Sequence, residues 1–112
     1  MKYRLMDILA CPMCRNFPLT LQVFEEKLIE PPQKIRRCEL YCSFHRGYMS
    51  QFNETDCKTC YGLEIVEGIL KCGNCGRWYP IASEIPRMLP DDLRDKRLDN
   101  VFMNKWRERI TP

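Results

Sequence analysis

Eight of the 112 residues are cysteine, and they fall into four close pairs: Cys11/Cys14, Cys38/Cys42, Cys57/Cys60 and Cys72/Cys75. Cytosol keeps thiols reduced, so pairs of this kind there point to metal before disulfide, with hyperthermophile cytosol as the known exception. The cytosol is the expected compartment. The stretch Met1 to Leu9 is broken by charge every few residues and has no apolar signal core. No apolar run approaches the ~20 residues that cross a bilayer. Hydrophobic residues make up 45% and charged residues 29%, which excludes a chain disordered throughout. The length sets one compact domain as the expectation.

Cys11-x2-Cys14 and Cys72-x2-Cys75 are knuckles, in which one tight turn aims two sulfurs at a single point. Gly76, directly after Cys75, suits the positive φ that such a turn requires. Two knuckles supply the four thiolates of a tetrahedral zinc site at Zn–S distances of about 2.3 Å. With 57 residues between Cys14 and Cys72, the ion would join the two ends of the chain. Arg15, Lys71 and Arg77 sit beside these cysteines and offset the negative charge of the site. A rubredoxin-type iron site has the same spacing, because both metals accept tetrahedral thiolate.

The second set, Cys38-x3-Cys42 and Cys57-x2-Cys60, has 14 residues between its pairs, close to a local zinc-binding spacing. Three readings stand: an all-cysteine metal site, a site in which His45 replaces Cys38, and disulfides or free thiols. His45 is the only histidine and by itself reads as a surface residue. Neither set is catalytic in pattern. A catalytic zinc keeps an open water position, which a closed tetrathiolate lacks. There is no glycine-rich phosphate loop or dinucleotide fingerprint among the five glycines.

Residues 1–10 read as a short amphipathic turn or helix with Leu5, Ile8 and Leu9 on one side, and Leu19 to Phe24 as a strand. Only six of the 36 residues in 26–61 are Leu, Ile, Phe or Val. That is below the ~20% at which a stretch folds unaided, so this segment needs a staple. Leu63 to Lys71 reads as two short strands about a turn at Glu67-Gly68. A strand follows at Arg77 to Ile81, then a turn at Ala82-Ser83-Glu84. Asp91-Asp92 reads as a helix start, with Leu98, Phe102, Trp106 and Ile110 as an apolar stripe whose default place is the core.

The formal charge is +3. A divalent ion on four thiolates carries −2, so two filled sites leave −1, without the basic footprint of a dedicated nucleic-acid binder. Lys34, Arg36, Arg37 and Arg46 are a local basic cluster. A nucleic-acid-binding zinc ribbon is therefore the rival function, and weak or indirect RNA contact is open. Electron transfer at iron is a second rival.

Trp78-Tyr79-Pro80-Ile81 and Ile85-Pro86-Arg87-Met88-Leu89 combine large apolar side chains with prolines, which favour sheet edges. Alternation puts Tyr79 and Ile81 on one face, Trp78 and Pro80 on the other. The run completes the domain's own core, offers a surface to a partner, or does both.

Ile8 to Cys14, Gly68 to Ile81 and Ile85 to Leu89 together resemble the multifunctional methyltransferase subunit family: small zinc-binding activators of methyltransferases that act on tRNA, rRNA and translation release factors. The match covers roughly residues 1–24 and 62–90, and the knuckles combined with Tyr79-Pro80-Ile81 and Ile85-Pro86 carry it. The resemblance implies a small zinc-ribbon-like antiparallel sheet built from both chain ends (1–25 and 62–90), with 26–61 as a cysteine-rich insertion; with the C-terminal helix read at 91–112, the fold class is α+β. It implies zinc on Cys11, Cys14, Cys72 and Cys75, no catalysis by this chain, and an S-adenosylmethionine-dependent methyltransferase as heterodimer partner. That partner would dock on Trp78, Tyr79, Ile81, Ile85, Pro86, Met88 and Leu89 and gain solubility and cofactor affinity. A site on Cys38, Cys42, Cys57 and Cys60 is not a general family feature. Glu84 stands where the family often has glycine before the Ile-Pro pair, and the helix after Pro90 is an extension.

Overall fold

The computed structural model describes residues 1–110. It is α+β: a four-stranded antiparallel sheet in the order β1-β4-β5-β6, a two-stranded ribbon β2-β3, and a C-terminal helix. β1 (Thr20–Leu28) pairs with β4 (Leu63–Lys71), β4 with β5 (Trp78–Ala82), and β5 with the two-residue edge strand β6 (Ile85–Pro86). Everything from Ile29 to Gly62 leaves the sheet between two strands that pair with each other. Ile29 N–H donates to the Gly62 carbonyl at 2.9 Å and closes the neck of that excursion. It contains β2 (Tyr41–Cys42), β3 (Gly47–Tyr48) and α1 (Cys57–Tyr61). β1 thus runs three residues beyond the boundary expected at residue 25.

β4 is one continuous strand, where the sequence suggests two strands about Glu67-Gly68. The register slips twice, leaving Phe24 of β1 and Val66 of β4 without partners in the ladder. Val23 pairs with Gly68 and Glu25 with Glu67, so Phe24 is the extra residue of a bulge. Gly68 serves that bulge rather than a turn. A Cβ there would lie 2.7 Å from the Gln22 carbonyl oxygen.

The alternation of β4 and β5 divides the apolar side chains between two faces. Leu70, Tyr79 and Ile81 join Met1, Met6, Leu19 and Ile65 in one core, on which the knuckles rest. Ile69 and Trp78 point the other way, onto Phe24, Phe102, Trp106 and Ile110. Trp78 stacks on Phe102 and Phe24 on Trp106, at centroid distances of 5.9 and 4.8 Å. The helix α2 (Lys96–Trp106) therefore covers the second face, as the core reading of its stripe expects, except that Leu98 stays exposed. It starts later than Asp91-Asp92, which forms only a 3-10 turn. Asp95 is the cap, its carboxylate accepting from the N–H groups of Arg97 and Leu98.

The β5–β6 hairpin turns through Ser83 and Glu84, both with positive φ (51° and 72°). That is the mirror-type turn that two-residue hairpins favour. Glycine would adopt it freely, but here Glu84 is held by its neighbours. Its N–H donates to the Val66 carbonyl, its own carbonyl accepts from the Met1 amino group, and its carboxylate pairs with Lys27.

Candidate metal centre

The two knuckles have the same local geometry. In the first, Arg15 N–H donates to the Cys11 carbonyl at 2.8 Å and Cys11 N–H to the Asn16 carbonyl at 3.0 Å. In the second, Gly76 N–H donates to the Cys72 carbonyl at 3.1 Å and Cys72 N–H to the Arg77 carbonyl at 2.8 Å. Each turn needs a left-handed residue just after its second cysteine. Gly76 has φ 77°, as the sequence predicts, and Arg15 takes φ 65° in the equivalent place.

These turns bring Cys11, Cys14, Cys72 and Cys75 together, with all four sulfurs within 4.8 Å of one another. Cys11 Sγ lies 3.7 Å from Cys75 Sγ, and Cys14 Sγ lies 3.4 Å from Cys72 Sγ. A tetrahedron with 2.3 Å metal–sulfur bonds has edges of about 3.8 Å, so the donor set fits a four-thiolate ion. A disulfide, at about 2.05 Å, does not fit these spacings. Among the described residues no other group of three or more His, Cys, Asp or Glu ligand atoms is gathered as closely.

The surroundings act unequally on the thiols. At Cys11 burial opposes the charged form. Donation from the Tyr79 hydroxyl at 3.1 Å and from the backbone N–H groups of Cys14 and Met13 overcomes it, drawing the thiol down to about 6. The Arg77 backbone N–H and guanidinium lower Cys75, while burial raises Cys72. Arg77 is itself fixed by a two-pronged pair with Asp91, at 2.8–3.1 Å. The Arg77 guanidinium thus reaches a knuckle sulfur directly.

Tyr79, which the resemblance assigns to the docking surface, follows the core reading of its strand. Its hydroxyl rests on Cys11, inside the core, and the ring is fully buried. Ile81 is equally buried and Met88 packs on the same core, so these three serve the chain's own interior. Trp78 is half-covered by Phe102, with the Arg94 guanidinium 4.6 Å from its ring centre. The β5 edge is closed in part by the chain itself: Arg94 donates to the Trp78 carbonyl and Arg87 N–H to the Pro80 carbonyl. What stays open at this border is Ile85 (64% exposed) and Leu89 (38%), with Pro86 half-buried. Ile85 continues into a groove of about 370 Å³ shared with Ala82, Leu98 and Val101 of the helix side.

Cys38, Cys42, Cys57 and Cys60 are all in the excursion between β1 and β4. Cys42 and Cys60 are buried, and Cys38 and Cys57 half-buried. The basic cluster divides. Arg36 and Arg37 line a groove with Lys2 and Arg4, while Arg46 faces a different one, beside β1.

Four cysteine sulfurs gathered beside a small antiparallel sheet form a candidate structural metal site. A protein-family model described as Trm112p-like protein matches residues 2–82, and the chain belongs to that family. Its class is the small zinc-binding methyltransferase activator. A search of curated proteins returned no match.

Proposed function

We propose that this chain is a non-catalytic, zinc-loaded activator subunit. It forms a heterodimer with an S-adenosylmethionine-dependent methyltransferase that modifies tRNA, rRNA or a translation factor in the cytoplasm. Family membership and the four gathered sulfurs support the class. No helix among the described residues is long and apolar enough to cross a membrane. Zinc on Cys11, Cys14, Cys72 and Cys75 holds the two chain ends as one scaffold and supplies no reacting position. A red, iron-containing preparation would replace this reading with electron transfer.

The observation that favours docking is the apolar border left open. Ile85 is 64%, Leu98 49% and Val101 66% exposed, side by side at the β6–α2 edge. A standard interface takes about 800 Å² of each partner and centres on such apolar side chains. The test is co-expression with methyltransferases of the source cell. An Ile85→Asp, Val101→Asp double variant is expected to lose co-purification while keeping its metal content and cooperative melt. Unchanged binding by that variant would overturn the docking assignment. Salt-dependent RNA binding by the isolated chain, with no methyltransferase recovered, would favour the nucleic-acid rival.

A further inference from the structure

The excursion between β1 and β4 has almost no apolar interior. Across residues 30–61 the only buried side chains are those of Cys42, Ser43, Cys60 and Tyr61. Ile35, Phe44, Met49 and Phe52 are half-buried and Leu40 is exposed. Two-residue strands and a five-residue helix do not sustain themselves in water. Sulfur occupies the middle instead. Cys42 ends β2, Cys57 and Cys60 belong to α1, and Cys38 precedes β2. Cys42 and Cys60 are buried, and Cys38 and Cys57 half-buried.

His45 joins the two halves of this set. Its Nε2 lies 2.9 Å from the backbone nitrogen of Asp56, which can only donate, so Nε2 is the accepting, unprotonated nitrogen. The ring proton is then on Nδ1, which lies 3.1 Å from Cys42 Sγ and donates to it. The backbone N–H of His45 reaches the same sulfur at 3.4 Å. Two N–H donors converge on Cys42, as the Cys75 N–H does on Cys72 at 3.5 Å in the first centre. Asp56 caps α1 immediately before Cys57. The imidazole therefore ties the sulfur of the first pair to the helix that carries the second.

We propose that Cys38, Cys42, Cys57 and Cys60 form a second thiolate metal centre, of the structural zinc class, with His45 as a positioning residue rather than a ligand. This goes beyond the activator reading, which needs only the first centre. The sulfurs of this set are not gathered within 4.8 Å of one another as those of the first are, and the ion would draw them together. The ion supplies the interior that the excursion lacks, and its binding releases the thiol protons to solvent.

The test is metal analysis of the full chain purified under reducing conditions. Two equivalents of zinc per chain are expected. Cys38→Ser and Cys57→Ser should each hold one, with the β1-β4-β5-β6 sheet still melting cooperatively. His45→Ala should keep two at saturating zinc but release one of them to a chelator at about 10–100-fold lower competing strength. Cobalt loading should give thiolate charge-transfer absorption that falls by about half in Cys57→Ser. One equivalent in the wild type with the four excursion thiols freely alkylated would overturn the proposal. So would a mass deficit showing disulfides between them, or His45→Ala releasing zinc no faster than the wild type. Each readout is made on the chain alone, so it stands or falls independently of methyltransferase binding.

Discussion

The Tyr79 hydroxyl lies 3.1 Å from Cys11 Sγ, within the buried core beneath the knuckles. The same side chain thus fills the sheet's interior and supports a metal ligand. Donation to a coordinated thiolate stabilises its charge, and losing such a partner typically costs 10–100-fold in metal affinity. Tyr79→Phe keeps the ring and removes only the hydroxyl. The fold should survive, and zinc should pass to a competing chelator at about 10-fold lower strength or less. An unchanged competition curve would show that the hydroxyl does not support the site.

The two knuckles are controls for each other. Gly76 and Arg15 occupy equivalent left-handed positions, and nothing lies within 4 Å of a Cβ at Gly76. Substitution at Gly76 is therefore a conformational cost without a clash. Gly76→Ala should destabilise the metal-loaded protein by about 1–2 kcal/mol. Arg15→Gly should be neutral or stabilising by up to about 1 kcal/mol, because it removes the same strain. Denaturant unfolding at saturating zinc measures both. A Gly76→Ala protein as stable as the wild type would contradict the equivalence.

Much of the metal site and the sheet is legible in the sequence, because spacing and alternation encode them locally. Two cysteines separated by two residues force a turn, and Gly76 marks its handedness. Alternation from Trp78 to Ile81 assigns the side chains to two faces. It cannot say what lies over each face, because that depends on partners far away in the chain. Tyr79 meets Cys11, 68 residues back, and Trp78 meets Phe102, 24 residues on. Gly68 shows the same limit. Glu67-Gly68 between two apolar runs reads as a turn, yet the glycine answers to the Gln22 carbonyl of the neighbouring strand. The bridging role of His45 depends on a contact with Asp56 across a loop and has no local signal.

Asp7 anchors the excursion to the N-terminal turn. Its carboxylate accepts the N–H groups of Glu39, Leu40 and Tyr41, each at 2.8 Å. Partial burial opposes the charge, but those three bonds outweigh it and hold the carboxyl below its ordinary 3.8. The sign follows: a depressed carboxyl contributes stability that is complete above about pH 4 and is lost as pH falls through the lowered value. Protection of the 39–41 amides from hydrogen exchange should thus be flat from pH 7 down to about pH 5. Asp7→Asn removes the charge assistance and one accepting oxygen. It should cut that protection about 10-fold or more at pH 7. Equal protection in the variant would show that the anchor is not Asp7.

Metal removal tests the clamp. Structural zinc provides apparent free energies of ~10–16 kcal/mol in small finger peptides, comparable to the entire ~5–15 kcal/mol stability of a typical domain. Cys72→Ser opens the four-sulfur set at the strand end where β4 meets its knuckle. That variant, or the wild type with strong chelator, should lose its cooperative melt as zinc is lost. A native-like melt with zinc absent would mean that the core around Tyr79, Ile81 and Leu70 holds unaided.

The most direct measurement is methyl transfer from S-adenosylmethionine by a co-purifying methyltransferase, assayed with and without this chain. The chain alone should bind no S-adenosylmethionine and transfer no methyl group. The methyltransferase should gain cofactor affinity and activity when wild-type chain is added, and gain neither from the Ile85→Asp, Val101→Asp variant. Methyl transfer by the isolated chain, or a methyltransferase equally active with and without it, would contradict the account.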